Sequence, residues 1–325
     1  MLRGYLAVRD WQAPARFLLA KSLSYEEKSQ EVHCLFAELL EGERWEPEPV
    51  KDSLLERKLD EARKVLAACE FCELCCKASR LAGQPGACGC SRTLVASVFV
   101  HWGEESVLVP SYTVFFSGCN FRCVYCQNWD ISQQIVGTEI SPAILARRIS
   151  RLRRAGEILN VNFVGGEPTP HIAYILEVLL NLDVSVPVIF NTNMYLSEKA
   201  LKILDGVVDL WLPDFKYGNN HCAEKYSGIK KYWETVTRNL LFVEGRGDIL
   251  VRHLVLPNHV ECCSLPVISW LAEQLSLDSF CLNVMEQYYP CFRAREFPEL
   301  ARRITREEYL RALQAALARK IYLIK

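Results

Sequence analysis

Cys119, Cys123 and Cys126 stand at C-x3-C-x2-C spacing in the stretch Phe115-Phe116-Ser117-Gly118-Cys119-Asn120-Phe121-Arg122-Cys123-Val124-Tyr125-Cys126-Gln127-Asn128-Trp129. A loop this short can turn three thiolates towards one centre, and thiolates suit a soft metal or an iron–sulfur cluster. A closed zinc site or an ordinary four-iron cluster takes four protein ligands. Three ligands from one loop leave a coordination position for something that reacts. Spacing alone leaves two other readings open: a zinc loop that borrows a fourth ligand, and a buried thiol cluster without metal.

A second group lies upstream, with six thiols between Cys69 and Cys90. Cys69, Cys72, Cys76 and Cys88 provide C-x2-C-x3-C-x11-C, a complete four-ligand set, with Cys75 and Cys90 as extras or substitutes. Gly83, Pro85 and Gly86 make this a turn-rich loop wrapped around something. Its spacing fits zinc and a second iron–sulfur cluster equally. Six free thiols in a solvent-facing loop would be chemically vulnerable. The other cysteines (Cys34, Cys222, Cys262, Cys263, Cys281, Cys291) are scattered singly or as a vicinal pair and read as small buried hydrophobes.

Further polar groups follow apolar runs. Val164-Gly165-Gly166-Glu167-Pro168 offers a close-approach backbone and a carboxylate for an ammonium group. Asn191, Thr192 and Asn193 follow Phe190, and Asp214 and Lys216 follow Leu212-Pro213. Such side chains can bind hydroxyls and carboxylates, or in the case of Asp214 and Lys216 form a structural ion pair. Arg252 and His253 interrupt an apolar run, so each should point into a barrel or find a partner; His253 reads as a satisfied core histidine. Gln287 and Tyr288 end the last such run, where a substrate would bind.

The cluster loop, with Gly118 before its first cysteine and Tyr125 before its last, resembles that of the radical S-adenosylmethionine (SAM) superfamily. The resemblance implies a four-iron four-sulfur (4Fe-4S) cluster on Cys119, Cys123 and Cys126, whose fourth iron is chelated by SAM. It implies a cofactor-binding set of Tyr125, Gly165, Gly166, Glu167, Asn191, Thr192, Asp214 and Lys216, to which Arg252, from its place on an apolar strand, is added as a candidate for SAM or substrate contact. Gly165–Pro168 is similar to the GGEP motif that meets the SAM amino group. Asn191–Tyr195 and Asp214–Lys216 are similar to the D-T-N-G and D-x-K stretches of pyruvate formate-lyase activating enzyme, with Asn191 where that pattern has Asp. Leu210–Gly218 with Cys222–Gly228, Leu254–Cys263, Arg302–Thr305 and the upstream cysteines resemble the PflX-type branch related to that enzyme, over roughly residues 60 to 325.

This resemblance implies reductive cleavage of SAM to a 5′-deoxyadenosyl radical that abstracts hydrogen. The expected substrate is a glycine Cα in a glycyl-radical partner protein, with a small molecule or another peptide as rivals. Flavodoxin or ferredoxin would supply electrons, and the upstream cysteines could relay them. Known activases carry extra clusters after the core loop, whereas here the additional cysteines precede it. A non-catalytic metal-binding or redox-sensing module is the other alternative, and it leaves the polar strand ends without a role.

These side chains need a frame. From residue 112 onward short β-branched runs (112–117, 160–164, 187–191, 207–213, 248–255, 280–285) alternate with helical patterns. Those helices are expected at 142–154 (capped by Ser141), 172–182, 198–204, 232–242, 266–275 and 306–317. Six strand–helix units imply right-handed crossovers and a curling parallel sheet: α/β, a partial (β/α)6 barrel of the radical SAM type with an N-terminal Cys-rich extension. Chemistry in such barrels belongs at the C-terminal strand ends, where every unusual motif of this core domain falls. The expected division is a helical N-terminal extension at 1–50, a Cys-rich metal or cluster-binding segment at 51–108 and the barrel at 109–325. Helices are also expected at 24–40 and 52–68, and a strand at 93–100.

The 325 residues are half hydrophobic and a quarter charged, which suits one large domain with an appendage. A formal net charge of −1 argues against nucleic-acid or membrane binding by bulk electrostatics. Arg147, Arg148, Arg151, Arg153 and Arg154 read as a solvated helix face. No apolar run spans a membrane, and the N-terminus lacks a signal peptide's apolar core. A cytoplasmic chain is expected, in which metal or cluster ligation is a better default than disulfide formation for a chain with fifteen cysteines.

Overall fold

A computed structural model describes residues 1–325. Seven strands form one sheet in sequence order: β1 (Val95–His101), β2 (Ser111–Phe116), β3 (Asn160–Gly165), β4 (Val188–Thr192), β5 (Leu210–Pro213), β6 (Asp248–Leu254) and β7 (Phe280–Met285). β1 pairs antiparallel with β2, and every later pair is parallel. The six parallel strands are the six apolar runs, joined by crossover helices as the alternation requires. The helices Pro142–Arg154 and Glu198–Leu204 keep their expected bounds, and the others move by a few residues at one or both ends. Ser141 occupies the N-cap position of the first but accepts no capping bond; Pro142 starts that helix instead. No helix is long and apolar enough to cross a membrane.

Strand alternation sorts the core into two sets. Phe163, Phe190, Trp211, Val251 and Leu282 face the surrounding helices. Ile189, Leu210, Leu212, Leu250 and Cys281 face inward, where Leu2 and Tyr5 of the N-terminal segment join them. The helices Arg3–Arg9 and Arg16–Ser22, for which the sequence carries little signal, are held at the N-terminal strand ends. Tyr5 N donates to Asp248 Oδ2 (2.6 Å) and Arg16 N to Asp209 Oδ1 (3.0 Å). Arg153 is correspondingly no solvated arginine. It is buried, donates to the carbonyls of Val8, Arg9, Leu159 and Ser185, and stacks 4.0 Å from the Trp11 ring.

The sheet does not close between β1 and β7, and two segments bridge the gap. The turn after β1 sends Glu104 to Asn162 of β3 (3.2 Å) and Glu105 to Arg252 of β6 (2.6 and 2.9 Å) and Asn283 of β7 (2.8 Å). The C-terminal residues bond to Leu282 on the β7 edge, and Lys325 O accepts from Ser106 N. The barrel is therefore filled at its N-terminal end, braced by charge in the middle and open at the C-terminal strand ends.

Candidate active site

The cluster loop leaves β2 at its C-terminal end. Gly118 turns it with φ of +85°, and a Cβ there would lie 2.3 Å from Cys90 Sγ, so only glycine fits. The loop backbone is then tied down by Arg122 N and Val124 N, which donate to the carbonyls of Ser227 and Tyr226 (2.9 Å each). Each thiol has a polar neighbour: Cys119 Sγ accepts from Phe121 N (3.3 Å), Cys123 Sγ lies 3.0 Å from Ser227 Oγ, and Cys126 Sγ lies 3.2 Å from Ser132 Oγ. Burial pushes the Cys119 thiol well above its ordinary value and that of Cys123 up to about 11. A bound cation must displace these protons, as metal binding to thiolates requires.

All three cysteines line one cleft with about 1000 Å³ of empty space, part of it open to solvent. Tyr125, Gly165, Gly166, Glu167, Asn191, Thr192, Asp214, Lys216 and Arg252 line the same cleft. The glycines serve backbone packing. A Cβ on Gly165 would sit 2.1 Å from Phe116 N, and one on Gly166 would sit 2.1 Å from Gly118 O. The two loops interlock there, which fixes Glu167 relative to the cysteines. The Glu167 carboxylate is buried and is the hub of this end of the barrel. Its Oε1 accepts from Thr169 N (3.2 Å), Thr169 Oγ1 (2.5 Å) and Thr192 Oγ1 (2.6 Å), and its Oε2 accepts only from Asn193 N (2.8 Å). Acceptor capacity remains on Oε2.

Lys216 Nζ donates to Asp214 Oδ2 (2.7 Å) at the end of β5. Burial lowers the lysine pKa, but Asp214 and the Cys123 thiol outweigh it and the net shift is upward. Arg252 points inward as expected and is paired: Nε and Nη2 are taken by Glu105, and Glu104 also contacts Nη2. Its Nη1 is the remaining donor. Tyr125 is buried, and its hydroxyl donates to Tyr217 Oη (2.7 Å), which lies 2.6 Å from Ser227 Oγ and so leads back to Cys123. His253 meets Phe215 O (2.7 Å) and Ser264 Oγ (2.9 Å), a satisfied core histidine. Gln287 lines the cleft, whereas Tyr288 is buried against Leu300 O (2.7 Å) and belongs to the core.

Spacing does not single out Asn120 and Asn193, which lie beside Cys119. Asn193 Nδ2 donates to Asn120 Oδ1 (2.6 Å), while the buried Asn120 Nδ2 has no partner in the protein. Their signal was adjacency: one lies in the cluster loop, the other directly after Thr192. That amide lies between the Cys119 and Cys72 thiols, and a buried donor so placed fits a sulfur-rich acceptor, so the residues suit an iron–sulfur cluster.

The upstream cysteines reach the same neighbourhood. Their loop bonds to the segment after β4 through Glu73 N to Tyr195 O (3.3 Å) and Ser197 N to Phe71 O (3.0 Å). Arg122 of the cluster loop donates to Ala87 O (2.5 Å). The Cys76 and Cys88 thiols flank Gly86, where a Cβ would meet them at 3.2 and 3.4 Å. Cys69 and Cys72 complete the group, and the Asn120 side chain neighbours the Cys72 thiol. Cys75 is exposed, while Cys90 is buried under Gly118, 3.2 Å from Ser117 O. Cys222, Cys262 and Cys263, far apart in sequence and read there as isolated hydrophobes, come together: Sγ–Sγ separations are 4.0 Å for Cys222–Cys262 and 3.9 Å for Cys262–Cys263.

Comparison with known proteins agrees with this geometry. The family model of the radical SAM superfamily matches residues 113–263, from β2 through the segment after β6. An uncharacterized protein of Methanocaldococcus jannaschii is 40% identical over 97% of this chain and 96% of its own length. A second uncharacterized protein of that archaeon is 26% identical over 60% of each chain. The crystal structure of Streptococcus suis SuiB bound to S-adenosylmethionine superposes with a TM-score of 0.47 at 13% identity, over 63% of this chain and 47% of that one. The matched span contains the cluster loop and the strand-end residues from Gly165 to Arg252, all facing one cleft, and residues 113–263 of this chain are a radical SAM superfamily domain.

Proposed function

We propose that this radical SAM enzyme activates a partner protein by taking a hydrogen atom from a glycine Cα, and that its upstream cysteines hold an electron-relay cluster. The observation that carries the reading is the single cleft in which three thiols meet the polar groups of five strand ends. Cys119, Cys123 and Cys126 would hold a 4Fe-4S cluster there, and that cluster would supply the electron for reductive cleavage of SAM. The rest is the chain's own work. Glu167 Oε2 has acceptor capacity for the SAM ammonium, while Asn191, Thr192 and the Asp214–Lys216 pair present groups for its carboxylate and ribose. Arg252 Nη1 is a further donor. Tyr125 stands at the family's aromatic position, and Val164, Leu254 and Met285 supply apolar walls that keep water from a reactive carbon radical.

Two features support a macromolecular substrate. The cleft continues sideways into a second one between β1 and β7, lined by His101, Glu104, Asn283 and Glu286 and sharing Asn191, Arg252 and Gln287 with the first. Next to Gln127 and Asn128, which line both, Trp129 and Phe292 stack with ring centroids 5.5 Å apart and remain exposed. Exposed aromatic surface of this kind marks interaction sites. A low-potential donor such as a flavodoxin or ferredoxin would reduce the relay, and Asn120 neighbours both Cys72 of one cysteine group and Cys119 of the other.

The test is anaerobic reconstitution with iron and sulfide, then addition of dithionite and SAM. 5′-Deoxyadenosine and methionine should accumulate, with no turnover in Cys126→Ala. Adding a glycyl-radical protein should produce a carbon-centred radical by electron paramagnetic resonance, with a glycine Cα doublet. Cleavage without that doublet would leave SAM chemistry standing and remove the activase reading in favour of a small molecule or another peptide.

A further inference from the structure

We propose that Cys222, His259 and Cys262 form a separate site for a divalent zinc-class ion, distinct from both cysteine groups described above. Their ligand atoms all lie within 4.8 Å of one another. Tetrahedral zinc has metal–sulfur bonds of about 2.3 Å, which sets two thiolates roughly 3.8 Å apart. The observed Cys222–Cys262 separation is 4.0 Å. Thiols that close span one ion; they leave no room between them for a polynuclear cluster.

The surroundings are built as a ligand set requires. His259 Nδ1 lies 2.6 Å from Pro257 O, so that nitrogen carries the proton and Nε2 carries the lone pair. A metal-bound histidine commonly donates its second nitrogen to a carbonyl in this way. The Nε2 lone pair is also poorly served by the protein. Its one neighbour, Tyr226 Oη (3.0 Å), has a single proton and a second acceptor, Glu299 Oε1, at 2.6 Å. A cation on Nε2 removes that competition.

The backbone is prepared as well. Val260–Ser264 is a single π-helical turn, a rare geometry that marks functional positions, and it presents Cys262 beside His259. Asn219 joins the two segments: Oδ1 accepts from Cys222 N (2.8 Å), capping the helix Asn220–Ser227, and Nδ2 donates to Cys262 O (2.7 Å). Cys262 is exposed and Cys263 Sγ lies 3.9 Å from it, so the fourth position is open to water or to Cys263.

The ion's role is positional. The helix Asn220–Ser227 starts at this site and ends at Ser227, whose hydroxyl touches Cys123 Sγ and whose carbonyl holds Arg122 N. An ion pinning Cys222 to the turn after β6 fixes the helix that backs the cluster loop.

Full-length protein with its iron centres already in place is titrated anaerobically with Co2+. We expect one equivalent to bind with thiolate charge-transfer and tetrahedral ligand-field absorption. Cys262→Ser and His259→Gln should each weaken that binding at least tenfold with iron content unchanged, while Cys34→Ser should not alter it. Because Cys262 is exposed, its serine variant leaves the core packing intact, and the retained iron reports that the chain is folded. Equal cobalt uptake by wild type, Cys262→Ser and His259→Gln would overturn the proposal. So would absence of uptake by wild-type protein whose Cys222 and Cys262 are shown to be free thiols.

Discussion

At the scale of single residues, Glu167 does more than its motif suggests. A carboxylate after two glycines reads as a ligand for an incoming ammonium, yet in the fold four protein donors already converge on it. It orders Thr192 and Asn193 as much as it awaits a ligand. Truncation should therefore carry two costs. Glu167→Ala strands buried donors of Thr169, Thr192 and Asn193, and a loss of about 2–4 kcal/mol in urea unfolding is expected. SAM binding should weaken at least tenfold in equilibrium dialysis, with iron content kept, since Glu167 is not an iron ligand. Iron loss as complete as in Cys123→Ala would show instead that the carboxylate holds the cluster loop itself.

At the scale of elements, the turn after β1 closes what the sheet leaves open. Its Glu105 is buried and grips Arg252 and Asn283 on two strands at the far side of the gap. Burial raises the carboxyl pKa, but Arg252 and Asn283 outweigh it and hold it below its ordinary value. Breaking a buried pair costs more than the pair is worth, because the surviving charge is stranded. Glu105→Ala leaves the buried Arg252 with its Glu104 contact alone and should destabilise the protein by about 3 kcal/mol, and Arg252→Met in the same chain should recover part of that loss. Denaturant midpoints of the two single variants and the double variant check this. Additive losses would mean that the two residues do not act as a pair.

At the scale of the whole molecule, the barrel has two ends with different tasks. The N-terminal helices fill one end with Tyr5 and Leu2, and the Cys-rich loop docks at the other against the segment after β4. Such docking should let the upstream centre assemble without the cluster loop's cysteines. The variant Cys119/Cys123/Cys126→Ala should retain roughly four irons and four sulfides, lost on further Cys69→Ser substitution. Iron-free protein that holds zinc at these cysteines would make the upstream centre structural and end the relay proposal. A chain that holds neither would mean that the two cysteine groups do not bind independently.

What could be read from the chain alone was whatever is local. The C-x3-C-x2-C loop, the Gly165-Gly166-Glu167 turn and the six apolar strand runs are short-range patterns, because strand periodicity and loop chelation are set by neighbours a few residues apart. They were enough for the fold class, and together with the family resemblance they pointed to cluster and SAM chemistry. The rest depended on partners distant in sequence. Nothing near Arg252 announces Glu105, 147 positions away, and nothing near Arg153 announces the Val8 carbonyl 145 positions away. Asn120 and Asn193 became a pair only when β2 and β4 were laid in one sheet, with β3 between them. Cys222 and Cys262 lie 40 residues apart and meet only because consecutive parallel strands deliver their following loops to the same end of the barrel. Side-chain type sets which bonds a residue can make; the crossover topology decides which residues are there to make them.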